Sequence, residues 1–168
     1  MRILLFTPFI YPFHVDMLLT LQQFAESKLY SCGIYGNYPF YELVKHSQLL
    51  GCKDLLGQKV LSFKGLMKIA SWRPHAAILF GIESLAGITL YYLLRLLKVK
   101  TLIVVEENNV MKMTEPSLQR LQKVKISIVR QIYRSADILI AESRASKRYV
   151  LEILRVKRSK PIFVMPHG

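Results

Sequence analysis

The sequence predicts a doubly wound α/β fold: a mainly parallel sheet with helices on both faces, three layers in one domain over residues 1–168. Three observations predict it. Short apolar runs alternate with helix-length segments along the chain, the pattern of βαβ units. The runs are continuously apolar, as strands covered on both faces are. Polar residues gather where the runs end, at the carboxyl edge where such sheets bind ligands.

Residues 2–7 (RILLFT) form the first run, and 8–15 read as a loop because two prolines oppose regular helix there. Asp16 is placed to cap a helix carrying Leu18, Leu19, Leu21 and Phe24. His14, in that loop, is a candidate ligand contact. Residues 29–35 read as a second strand, 39–50 as a helix, 59–63 as a short strand and 65–72 as a helix stopped by Arg73-Pro74. Glu42 and His46 are four apart with no third ligand in view, so no metal site is expected. The run ending at Phe80 turns at Gly81, Ile82, Glu83 and Ser84, with Ser84 as N-cap of a helix over 85–97.

Residues 100–105 form a further buried strand that ends on Glu106-Glu107-Asn108-Asn109, the densest polar cluster in the chain. A turn does not require four polar residues after an apolar strand, so the cluster reads as functional. A long helix starts at Thr114 with Pro116 just inside. Leu118, Leu121, Ile128 and Ile132 share one face of it, and Arg120, Lys123, Arg130 and Arg134 make a basic stripe on the other. Asp137 opens a strand over 138–141, and Glu142-Ser143 begins the next helix. A last run, 162–165, ends on Pro166-His167-Gly168.

The net charge is +13, and residues 111–160 hold thirteen basic side chains against four acidic ones. Such a field suits an anionic leaflet. Nucleic acid is not an expected partner, because no recognition motif or cluster of exposed aromatics accompanies the charge. No apolar run reaches the roughly 20 residues of a membrane span. Cys32 and Cys52 have no metal-ligand spacing and form no disulfide framework, which predicts a reducing, cytoplasmic setting, peripheral at the inner face of the membrane.

Tyr133, Ser135, Ala136, Asp137, the 138–141 strand, Glu142, Ser143, Lys147 and Val164-Met165-Pro166 with Gly168 together resemble the end of the N-terminal domain of family 4 retaining GT-B glycosyltransferases. His167 stands where that family usually has Asn, and His75 where it has Asp. Glu106 matches the Glu of its Glu-x-His-Asp pattern, while Asn108 and Asn109 replace His and Asp. The loop after the first strand lacks the family's Gly pair.

The resemblance implies a Rossmann-like, acceptor-binding half-enzyme that transfers a hexosyl group, with retention, from a nucleotide-sugar to a glycan or lipid-linked acceptor. Glu106 and Asn108 would be catalytic. His14, Asp16, Gly81, Glu83, Glu107, Asn109, Glu142, Ser143 and His167 would line the acceptor and donor sites. No cofactor would be bound tightly. The nucleotide-sugar would sit mostly on a C-terminal donor domain, in cis or on a separate chain, and this domain alone would be inactive. The rival reading is a non-catalytic, flavodoxin-like binding module with a basic surface.

Overall fold

The computed structural model of the chain describes residues 1–34, 47–55, 58–106, 120–152, 154–156 and 160–165. Seven strands form one parallel sheet: β1 (Arg2–Ile10), β2 (Glu26–Ile34), β3 (Ser47–Leu49), β6 (Ala76–Leu79), β7 (Lys100–Val105), β8 (Ile138–Ala141) and β9 (Ile162–Val164). Their order is β3-β2-β1-β6-β7-β8-β9. The chain therefore winds outward from β1 in one direction and from β6 in the other, and the switch point lies between those two strands. β4 (Cys52–Leu55) and β5 (Gln58–Leu61) form a separate antiparallel pair.

Five helices are seen among the described residues: α1 (Pro12–Gln22), α2 (Phe63–Trp72), α3 (Leu85–Leu96), α4 (Arg120–Ser135) and α5 (Arg144–Glu152). Val15 and Leu18 of α1 pack with Ile3, Leu5 and Leu29 on one face of the sheet. Helices α2 to α5 contribute Ile69, Leu90, Ile132 and Val150 to the larger core on the other face, with Leu4, Phe6, Ile103 and Leu139. Strand residues of opposite parity thus feed two cores, which is the doubly wound, three-layer arrangement the apolar runs predict.

Several boundaries differ from expectation. β1 continues to Ile10, and α1 begins at Pro12, with Tyr11 rather than Asp16 as its N-cap. Proline in the first turn lacks an N–H that would have had no helical partner anyway, so Pro12 starts the helix instead of breaking it. Residues 47–49 are a strand paired with β2, not the end of a helix, Leu50 lies beyond it outside any helix, and residues 39–46 lie outside the described residues. The short strand expected at 59–63 pairs with β4, away from the main sheet.

Cys32 of β2 and Cys52 of β4 are joined in a disulfide, with Cα atoms 5.3 Å apart. This corrects the reading that the two cysteines form no disulfide framework. The pairing is produced by the return of the chain from β3 to β4, which no spacing rule reads, and it removes the cysteine argument for a reducing compartment. No described helix is long and apolar enough to cross a membrane.

The basic stripe of α4 is partly absorbed by the fold. The Arg134 Nε donates to the Leu154 carbonyl at 2.9 Å. The Lys160 ammonium donates to the carbonyls of Tyr133, Arg134 and Ala136, capping the end of α4. The last carbonyls of a helix have no helical N–H partner and carry partial negative charge, so cations settle there. Arg130 is half-buried, and its Nε meets no partner among the described residues.

Candidate functional site

Each strand-to-helix corner at the carboxyl edge is built differently. After β1 the chain turns at Tyr11 alone before α1 begins, so His14 falls at the third helical position. Its Nδ1 accepts a hydrogen bond from the Tyr11 N–H at 3.1 Å. After β6, Gly81 takes a left-handed φ of +57°, and a Cβ there would lie 2.6 Å from Pro8. The Ser84 side chain then caps α3 by accepting from the Gly87 N–H at 3.0 Å. After β8, Ser143 caps α5 in the same way, accepting from the Ser146 N–H at 3.1 Å. β7 delivers Glu106 directly, one residue beyond its last.

These corners enclose a cleft of about 230 Å³. It is lined by the aromatic residues Tyr11, Phe13 and Phe80, the carboxylates Glu106 and Glu142, and the apolar Val104 and Met165. His14 also lines it. The imidazole is only 1% exposed. It lies 3.9 Å from the Phe13 ring and 4.5 Å, edge to face, from the Phe80 ring. Burial lowers its pKa from 6.5 to about 4, so it is neutral across the physiological range. With Nδ1 accepting from a backbone N–H, the single ring proton is on Nε2. That Nε2 is buried and has no partner among the described residues.

Outside the lining, Glu83 accepts a hydrogen bond from the Tyr133 hydroxyl. Tyr133 is wholly buried in α4. Burial pushes its phenol well above the ordinary value, and the charge and hydrogen bond of Glu83 push it further, followed by the charge of Glu106. Lys125 of the same helix is lowered by burial, with the charge of Glu83 opposing. Glu83, Tyr133 and Lys125 therefore form an electrostatically coupled group, and the charge of Glu106 also acts on Tyr133. Among the described residues no cluster of His, Cys, Asp and Glu is arranged to hold a metal.

Of the residues singled out from sequence, His14, Glu106 and Glu142 meet in this cleft. Glu83 is not among the lining residues and is held by Tyr133. Gly81 and Ser143 shape its corners through backbone conformation and capping. Asp16 is exposed on α1 and is not part of the lining. Glu107, Asn108, Asn109 and His167 lie outside the described residues. Sequence reading missed Phe80 and Met165 as lining, and Tyr133 as the partner of Glu83. The density of aromatic residues at 9–13 was the available signal for the aromatic lining.

Asp137, part of the recognised pattern, has a structural role at the other edge of the sheet. Its carboxylate accepts from the Thr101 N–H at 2.9 Å and hydroxyl at 3.1 Å, binding β8 to β7. Burial raises its pKa, but these hydrogen bonds, with Lys100 and Arg95, outweigh burial and leave it lowered.

No protein-family model and no curated protein matches the sequence. Among solved structures, a sucrose-phosphate synthase chain from Thermosynechococcus elongatus superimposes with a TM-score of 0.61 at 14% identity, over 100% of this chain and 90% of that one. The two share the Rossmann-like α/β fold.

Proposed function

We propose that this domain is the acceptor-side half of a retaining GT-B glycosyltransferase, of the family 4 type, which passes a hexosyl group from a nucleotide-sugar to a glycan or lipid-linked acceptor. The observation that carries the reading is the convergence of Glu106, Glu142 and His14 with aromatic residues in one cleft at the carboxyl edge of the sheet. Carboxylates accept from sugar hydroxyls, and aromatic faces cover the C–H faces of a sugar ring. Similarity of fold to a sucrose-phosphate synthase supports the same class.

The nucleotide-sugar is held elsewhere in this reading. The described lining contains no Lys or Arg to meet a pyrophosphate, and at about 230 Å³ the cleft is smaller than the about 300–1,000 Å³ of complete small-molecule sites. A second domain would supply that wall, along with the electrostatic support of the departing phosphate. Glu106 and Asn108 are assigned to the reacting region, and Glu107, Asn109 and His167 to its surroundings.

The test is a transfer assay with a panel of nucleotide-sugars on three samples: the 168-residue chain, the chain completed by a donor domain, and the completed Glu106→Ala enzyme. The first is expected to be inactive and the second active. The third is expected to lose about 10²-fold or more in turnover with an unchanged melting temperature. Transfer by the first sample overturns the half-enzyme reading. Full activity in the third removes Glu106 from the site. Acceptor binding without transfer in any sample would favour the non-catalytic binding module.

A further inference from the structure

Helix α2 is seated on the sheet by one side and leaves the other bare. Gly65 and Ile69 are buried, and Leu66 packs against the larger core. At about 100° per residue, positions 63, 64 and 67 fall on the opposite side. Phe63 is 78% and Met67 52% exposed, one turn apart, and Lys64 and Lys68 beside them are exposed as well. The adjoining helix α3 repeats the pattern at its end. Leu90 and Leu94 are buried, while Tyr92 and Leu96 lie on the outer side, Leu96 at 81% exposure, with exposed Lys98 just beyond. Both helices pack on the larger core, so their outer sides face away from the sheet in the same direction.

Charge decides what such a face can meet. Neither helix contains an Asp or Glu. Residues 55–105 hold seven basic side chains and one acidic, Glu83, which is engaged by the Tyr133 hydroxyl. Exposed aromatic and thioether groups interleaved with Lys suit a membrane interface. The apolar groups enter the acyl boundary, while the Lys stems run along it and keep their ammonium groups among the phosphates. The outer side of α1 has no such complement, since it shows Leu19 but carries Asp16 and no Lys or Arg.

We propose that the outer face of α2, continued by the end of α3, docks on an anionic lipid bilayer, with Phe63 and Met67 inserted at the headgroup–acyl boundary and Lys64 and Lys68 on lipid phosphates. The contact is interfacial, and no described helix is long and apolar enough to span. α2 lies outside residues 111–160, so apolar insertion and the charge of that region are separable by mutation. Docking needs neither sugar transfer nor a donor domain.

The experiment is flotation of the 168-residue chain with vesicles of phosphatidylcholine alone and of phosphatidylcholine mixed with phosphatidylserine. The chain is expected to bind the anionic vesicles. Phe63→Trp reports insertion: its emission is expected to shift to the blue and to be quenched by brominated acyl chains, above the Trp72 signal of the parent. Phe63→Ser with Met67→Ser is expected to weaken binding about tenfold or more, and Lys64→Glu with Lys68→Glu to do the same. All four positions are exposed, so melting temperatures are expected to stay unchanged. Phe24→Ser, at another exposed apolar position beyond α1, is the control and is expected to bind like the parent.

Equal binding to both kinds of vesicle, no binding to either, a bound Phe63→Trp chain that is not quenched, or full binding by the double Ser variant would each overturn the proposal. It also falls if the chain is a dimer without lipid and the double Ser variant a monomer, because the face is then an interface between copies. None of these readouts is sugar transfer, so their failure leaves the transferase reading standing, and an inactive completed enzyme leaves the docking standing.

Discussion

Burial of a neutral imidazole links stability to pH at a single residue. The pKa of His14 falls from 6.5 to about 4 on folding, so between those values the unfolded chain binds a proton that the folded chain refuses. Above pH 6.5 the group contributes nothing. As pH falls below 6.5 the folded state loses stability, reaching about 3 kcal/mol near pH 4. His14→Asn is expected to flatten the fall in urea midpoint over this window, measured against the parent from pH 7 to 4.5. If parent and variant decline in parallel, the acid sensitivity comes from other groups. That Glu106 and Glu142 lie at the carboxyl edge was legible because each follows directly from a strand's end, while His14 sits in the first turn of α1. The partnership of Tyr133 with Glu83 was not, because 50 residues separate them and only the packing of α4 against the β6–α3 corner joins them. Asp137→Ala should cost about 1–3 kcal/mol in denaturant unfolding, since the Thr101 N–H and hydroxyl would both lose their acceptor.

At the level of elements, strands covered on both faces were the most legible, and β7 begins and ends where its apolar run does. The parts that resisted reading are those set by tertiary pairing. β3 and β4 are short, with no residue fully buried in either, so their sequences show neither alternation nor a continuous run. α1 was displaced because two prolines outweighed the fact that one of them suits a helix start. The disulfide ties this poorly legible region to the sheet. Its cysteines are 20 residues apart, a loop for which closure is worth about 3 kcal/mol. Cys52→Ser, or reduction of the parent, is expected to lower the denaturation midpoint by a comparable amount. Equal midpoints with and without reductant would show that the link contributes nothing to the fold.

For the molecule as a whole, the doubly wound class followed from the alternation of apolar runs with helix-length segments, whereas the strand order came from the structure. Surface charge was harder to place. Much of the +13 net charge falls in residues 111–160, but Arg134 and Lys160 there serve backbone carbonyls. A membrane-facing role, proposed here for the basic surface, therefore falls to exposed residues such as Arg144, Arg148 and Arg155. Sedimentation with anionic vesicles is expected to show binding that weakens between low and high salt, and reversal of Arg144 and Arg155 to Glu should reduce it. Neutral vesicles serve as the comparison, and equal binding to both kinds would remove the electrostatic account.

The meeting of Pro8 with Gly81 has a consequence for how such sequences can diverge. A Cβ at 81 would sit 2.6 Å from the proline ring, and one at 87 would sit 2.8 Å from the Gly81 carbonyl oxygen. The left-handed φ adds strain at 81 for any residue other than glycine. Positions 8, 81 and 87 are therefore coupled in what they tolerate. Gly81→Ala should be strongly destabilising beside Pro8 and less so beside Pro8→Ala, a non-additivity that a double-mutant cycle measures. In homologues the same coupling would be visible as covariation, with a side chain at 81 appearing where 8 is no longer proline, and with 87 held small in both cases.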